Sequence, residues 1–203
     1  MAKIKLTKNE LKRQKDALKR YQRYLPMLQL KKQQLQTEIA KVLAARDQIE
    51  SEIRVLTERL DTWVAVFGED VRFGELLTLD TVETTGGNIA GVDIPVFSRA
   101  VFREPPYDVA QYPLWVDDGI IHAREMMTLR AKRQVLEKQL VAIREELRVT
   151  NQRVNLFEKV KIPETKEDIR RIRIFLGDMQ TAGVVTGKIA KKKVERKALE
   201  RAL

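Results

Sequence analysis

Few residues of this 203-residue chain have the types and spacing that chemistry demands. Gly86 and Gly91 stand at the separation of two phosphate-loop glycines, but Val92 occupies the place where a lysine must reach the phosphates. The stretch from Gly183 to Lys188 lacks both that spacing and the hydroxyl residue that should follow. Asp117-Asp118 and Glu145-Glu146 are adjacent carboxylates; neighbours on a helix point to different faces, so neither forms an acid/base pair. A single histidine, His122, cannot build a histidine metal site, and with no cysteine there is no thiolate ligand, thiol nucleophile or disulfide. The expectation is a protein with no catalytic, cofactor-binding or metal site, and so not an enzyme in its own right.

What remains is charge. The net charge is +10, and it is unevenly spread. Residues 1–35 carry +9 and residues 186–203 carry +5, which leaves the middle near −4. Basic ends of the same sign predict that something acidic meets them. The candidate contact residues are Leu11, Lys12 and Lys15 near the start, and Lys188, Lys191, Lys192, Lys193 and Arg196 near the end.

The elements that must present these charges are helices. The composition is 33% charged and 6% aromatic, which suits long helices better than a sandwich or barrel. Thr7-Lys8-Asn9-Glu10 predicts a capping box, in which the Thr7 hydroxyl and the Glu10 carboxylate each close a free backbone N–H. A seam then runs Leu11, Gln14, Leu18, Tyr21, Leu25, Leu28, Lys32, Leu35, Ile39, Val42, Arg46, Ile49, Ile53, Leu56, Leu60, Trp63, Phe67. Fourteen of its seventeen positions are apolar. A 3.5-residue period held this long predicts a left-handed supercoil about 90 Å long. Pro26 should bend it locally, and Gly68 is a natural stop.

A second seam reads Met126, Leu129, Arg133, Leu136, Leu140, Ile143, Leu147, Thr150, Val154, Phe157. It slips by one residue near Pro163 and continues through Ile162, Ile169, Ile172, Leu176 and Met179. Such a slip predicts a bend or a local change of winding. Gly177, Gly183 and Gly187 interrupt the tail, either fraying its end or allowing a close backbone approach.

Between the helices, Leu79–Thr84 and Val92–Phe97 alternate like strands, and residues 86–91 supply turn glycines. Pro95 demotes its strand to an edge. Pro105-Pro106 and Pro113 mark a connector, with Pro113 a candidate first residue of the second helix. The expected fold class is all-α and elongated: a long antiparallel left-handed two-helix coiled coil with a short β-hairpin in mid-chain. Three regions follow: an N-terminal helix over 1–67, a hairpin and connector over 68–112 with strands near 79–98, and a C-terminal helix over 113–203. Trp63 and Trp115 should pack where the helices enter the hairpin region, and Arg46 should lie across from Glu145 or Glu146.

Four stretches make the chain similar to the D-subunit family of the V-type and A-type ATPases. They are Leu6-Thr7-Lys8-Asn9-Glu10-Leu11 with Lys15 and Leu18, Leu28 to Leu35, Asn88-Ile89-Ala90-Gly91-Val92-Asp93-Ile94-Pro95, and Thr150 to Glu158 with Ile162-Pro163. The last carries Arg153, Val154, Asn155, Glu158 and Pro163, and is the most specific. The hairpin match rests on Asn88, Gly91, Ile94 and Pro95. The tail glycines depart from the family pattern. The resemblance implies a non-catalytic central rotor shaft that couples ATP hydrolysis or synthesis to proton or sodium transport. It implies basic termini inside a hexamer of A and B subunits, a small F subunit along the middle of the shaft, and a ring-linking subunit at the hairpin end.

Two other functions fit the residues alone: a basic coiled coil that grips nucleic acid through phosphates, or a scaffold that never turns. Tyr21 and Tyr24 are the only aromatics in the basic ends, which weighs against stacking on single strands. No apolar run reaches the roughly 18–20 residues of a membrane span, and the start has no signal-peptide core. A soluble protein at the cytoplasmic side of a membrane complex is expected.

Overall fold

The computed structural model describes residues 4–61, 71–108 and 111–202, with side chains described as far as residue 198. Trp63, Phe67 and Gly68 lie outside the described residues. The fold class is all-α with one two-stranded sheet. Helix α1 spans Lys8–Asp61. A single-turn helix α2, Phe73–Leu76, precedes strands β1, Thr78–Ile89, and β2, Val92–Arg103. Helix α3 runs Trp115–Asn155 and passes through a π-helical turn, Leu156–Lys161, into α4, Ile162–Ala202. The chain divides into two compact units, residues 31–150, and residues 1–30 with 151–203.

The seam predicted for α1 is the face the structure covers. Every described seam position from Leu11 to Leu60 is buried or half-buried, with Leu35, Val42 and Leu56 the most enclosed. Gln14, Lys32 and Arg46 share that face and are half-buried. Pro26 sits inside the helix on its exposed side, away from the packed stripe. The Glu10 N–H donates to Thr7 Oγ1 at 3.2 Å, so one half of the capping box forms. The other half does not: the Glu10 carboxylate accepts from Gln14 Nε2 at 2.8 Å, and the Thr7 N–H donates to the Lys5 carbonyl.

Residues 31–150 form a unit of two helices and the hairpin. Leu35 and Val42 of α1, Leu140 and Ile143 of α3, and Ile94 of β2 make one buried cluster. Ile89, Ala90 and Val92 at the hairpin tip pack against it, so the hairpin lies back along the helices. Its strands are longer than the alternation predicted. They pair antiparallel from Thr78↔Arg103 to Ile89↔Val92, with irregularities between Leu79 and Thr81 and between Glu83 and Thr84. Gly86 and Gly87 are strand residues, and only Ala90 and Gly91 make the turn, with φ of 52° and 79°. Positive φ at both central residues is what a tight hairpin of matching twist requires.

A second cluster, Leu76, Leu77, Val116 and Ile120, closes the base of the hairpin, where Trp115 stacks 6.3 Å from Phe73. The Trp115 expectation holds, while Pro113 lies two residues before α3 and its carbonyl accepts from the Val116 N–H at 3.1 Å.

The hairpin explains a stripe on α3 that the seam did not include. Ala131, Val135 and Gln139, four residues apart, are buried. Gln139 Nε2 donates to the Pro95 carbonyl at 2.6 Å, and Lys132 lies 5.7 Å from the centre of the Phe97 ring. Helix α3 is therefore packed on two faces.

Ion pairs mark the antiparallel register within this unit. Lys31 Nζ meets Glu146 at 2.6 Å and Arg133 lies 3.9 Å from Glu50. The expected neighbour of Arg46 is corrected. Arg46 binds Asp47 at 2.5 Å, and Glu50 and Glu137 are the other carboxylates acting on it. Glu146 is taken by Lys31, and Glu145 by Arg148 on its own helix. A register set by Lys31 and Glu50 leaves neither carboxylate opposite Arg46.

In the other unit, the first part of α1 faces the end of α3 and the start of α4. Tyr21 and Phe157 meet at 5.2 Å between ring centres, and Val154, Thr165, Ile169 and Ile172 are buried. The phase slip has a physical form here. The Ile162 N–H bonds to the Phe157 carbonyl, five residues back, and the seam steps by the same five residues. One extra residue is taken up in the π turn.

Candidate partner-binding surfaces

The candidate residues near the start sit on the first two turns of α1. Leu11 is half-buried in the seam, while Lys12 and Lys15 are exposed. Five cations, Lys12, Arg13, Lys19, Arg20 and Arg23, line an open groove on the outer face of α1 with Asn9 and Asp16. The groove is a charged, solvent-facing surface. Arg13, Lys19, Arg20 and Arg23 belong with Lys12, and the unequal spread of charge was the signal for them.

The candidates near the end lie on α4 beyond its packed part. From residue 177 to residue 198 every position is exposed. Met179, at the end of the predicted seam, is 58% exposed, so the chain itself covers that seam only as far as Leu176. Val184, Val185, Ile189 and Val194 are also open, interleaved with Lys188, Lys191, Lys192, Lys193 and Arg196. Lys191 reaches Glu195 at 3.8 Å, a loose surface pair.

The structure does not bring the two basic sets together. Glu10 acts on Asp168, which places the start of α1 beside that part of α4. Twenty residues of helix, roughly 30 Å at 1.5 Å per residue, then separate Asp168 from Lys188. Asp168 is half-buried; burial first, then Glu164, Glu167 and Glu10, raises its carboxyl above the ordinary value, against the pull of Arg171.

The hairpin residues singled out in the sequence hold the fold. Asn88 Oδ1 accepts from the Gly91 N–H at 3.0 Å, and its Nδ2 donates to Asp93 at 2.8 Å. Ile94 is buried and the Pro95 carbonyl is bound by Gln139. Of the motif around the π turn, Val154 is buried and Asn155 half-buried, while Arg153, Glu158 and Pro163 are exposed. Further along, Tyr107 donates to Asp117, a bond that raises the Tyr107 pKa, and Arg99 grips Glu83 through two bonds that lower the Glu83 pKa. These are structural pairs on the hairpin and its base.

Among the described residues, no group of three or more His, Asp or Glu could hold a metal, and no helix is long and apolar enough to cross a membrane. What the described residues offer instead is paired helices, a braced hairpin and open charged faces. The family described as the D subunit of ATP synthase matches residues 10–192. The D subunit of the V-type ATP synthase of Borreliella burgdorferi is 45% identical over 97% of this chain and 98% of its own length. That of Chlamydia caviae is 33% identical over 97% and 96%, and that of Chlamydia muridarum 34% over 95% and 97%. The chain belongs to the ATP synthase D-subunit family, and so is a non-catalytic stalk subunit of a rotary ATPase.

Proposed function

We propose that this chain is the central rotor shaft of a V/A-type ATPase, carrying rotation between a membrane ring and a catalytic hexamer. In this reading ATP is made or hydrolysed in the A subunits, and the turning of the shaft couples that chemistry to movement of a proton or sodium ion. The exposed end of α4 carries the proposal. A helix draws most of its stability from packing an apolar face, yet residues 177–198 have no cover from this chain and mix apolar side chains with cations. A surrounding wall of A and B subunits would supply that cover, and the cations would guide the shaft without clamping it.

The basic outer face of α1, with Lys12 and Lys15, would meet the same hexamer. The F subunit would lie along the middle of the shaft. Exposed Tyr24, Met27 and Leu30 on α1, and Leu156 and Val160 at the π turn, support an apolar contact there. The ring-linking subunit would take the hairpin-base end, where Leu114 is 92% exposed. The complex would place this chain at the cytoplasmic face of the membrane.

The test is co-purification with A and B subunits, followed by ATPase assay with and without the chain. Lys191→Ala/Lys192→Ala/Lys193→Ala should weaken assembly several-fold at low salt, and the gap should narrow as salt screens the wild type. A wild-type chain that fails to join the hexamer would defeat the proposal.

A further inference from the structure

Gly177, Gly183 and Gly187 all lie inside α4, and none has a local reason to be glycine. Gly91 is the only described glycine with positive φ, so these three do not serve a turn. A Cβ added at any of them would meet nothing within 4 Å, so they do not make room for another part of this chain. Each lowers the local helix equilibrium about fivefold against alanine, the equivalent of about 1 kcal/mol.

The residues around them weaken the helix further. Thr181 Oγ1 donates to the Gly177 carbonyl at 3.1 Å, and Thr186 Oγ1 to the Ala182 carbonyl at 2.9 Å. Such back-bonding slightly destabilises and bends helices. Val184 and Val185 are β-branched and lose χ1 freedom in a helix. No packing offsets this, since no residue from 177 to 190 is buried. The flanks differ. Before the glycines, Thr165, Ile169 and Ile172 are buried. After them, Lys191-Lys192-Lys193-Val194-Glu195-Arg196-Lys197-Ala198 is rich in strong helix formers.

We propose that residues 177–190 are a compliant segment of α4, a soft link between its packed part and the basic end. In the free chain this segment opens and recloses without disturbing the packed helix before it. Held at its basic end, it would take up bending or twist that the packed part passes on rigidly. The softness belongs to the chain itself; its use in a turning shaft rests on the function proposed above.

Hydrogen exchange on the intact free chain tests it. Amides of residues 181–190 should exchange far faster than those of 165–176. The variant Gly177→Ala/Gly183→Ala/Gly187→Ala should slow them, by about fivefold for each glycine and up to about 100-fold together if the segment opens as one. Wild-type protection equal to that of 165–176 would overturn the proposal, and so would a triple variant with unchanged exchange. Assembly with A and B subunits is the second arm. The triple variant should still assemble, because a soft link tolerates three added methyls. Loss of assembly in the variant alone would assign the glycines to close approach by a partner, against compliance. Failure of the wild type to assemble would strike the shaft reading and leave the exchange result to decide softness.

Discussion

Ile94 offers the sharpest test of how the hairpin is held. It is 4% exposed and lies in one cluster with Leu35, Val42, Leu140 and Ile143, so it joins β2 to both α1 and α3. Ile94→Ala removes buried methyl groups and leaves a cavity among four other buried side chains, a change that costs about 2–5 kcal/mol. Ile94→Val should cost about 0.5–1.5 kcal/mol. Val96, two residues along the same strand and 39% exposed, is the control, and its alanine variant should stay within about 1 kcal/mol. Urea unfolding gives the three costs. Hydrogen exchange adds the location: Ile94→Ala should speed exchange in β1, β2 and the buried stripe Ala131–Gln139, while amides near Ile169 and Ile172 stay unchanged. The reasoning fails if Ile94→Ala and Val96→Ala cost the same, or if the hairpin opens no more readily in the variant.

Three further outcomes follow from the packing. A double-mutant cycle on Lys31 and Glu146, about one-third exposed and 2.6 Å apart, should give a coupling of about 0.5–1 kcal/mol that falls with added salt; no coupling would mean the antiparallel register is set elsewhere. Gly87→Val should cost about 1–3 kcal/mol in denaturant unfolding, because a Cβ there would stand 2.7 Å from Val96 Cγ2. Asp168 binds its proton more tightly in the folded chain, so its contribution to stability is present below the ordinary value of 3.8 and is lost as pH rises through the raised folded-state pKa. At pH 7 its charge is a burden, and Asp168→Asn should raise the melting temperature there, with the gain vanishing in a pH series carried below about 4.

The sequence held much of this fold because seams have a period. Positions such as Leu35, Ile143 and Ile172 sit in register with their neighbours, and a side chain that must leave water declares its face. The slip near Pro163 was visible for the same reason, although only backbone bonding identifies it as a π turn. The second stripe of α3 was hidden, because Ala131 and Gln139 are not apolar enough to count, and their burial depends on a hairpin contributed from elsewhere in the chain. The Arg46 pairing failed because heptads fix which residues face inward but leave the sliding of one helix past the other to pairs such as Lys31 and Glu146. The Glu10 carboxylate was misassigned because Gln14, one turn on, competes for it. Of the surfaces, charge imbalance pointed to both basic ends. Their separation along α4 was not legible, since it depends on where α1 begins to face its partner.

The π turn between Leu156 and Lys161 also bears on how this chain can change length. Elsewhere along a packed helix, losing one residue swings every later side chain by about 100° and turns an apolar face toward water. Between Phe157 and Ile162 the chain already carries one residue more than an α-turn needs. A single deletion there would restore ordinary i to i−4 bonding and leave Val154 behind it and Ile169 and Ile172 beyond it on the same side. That short stretch is thus a built-in tolerance for a one-residue deletion, set within a helix that has little tolerance elsewhere in its packed part.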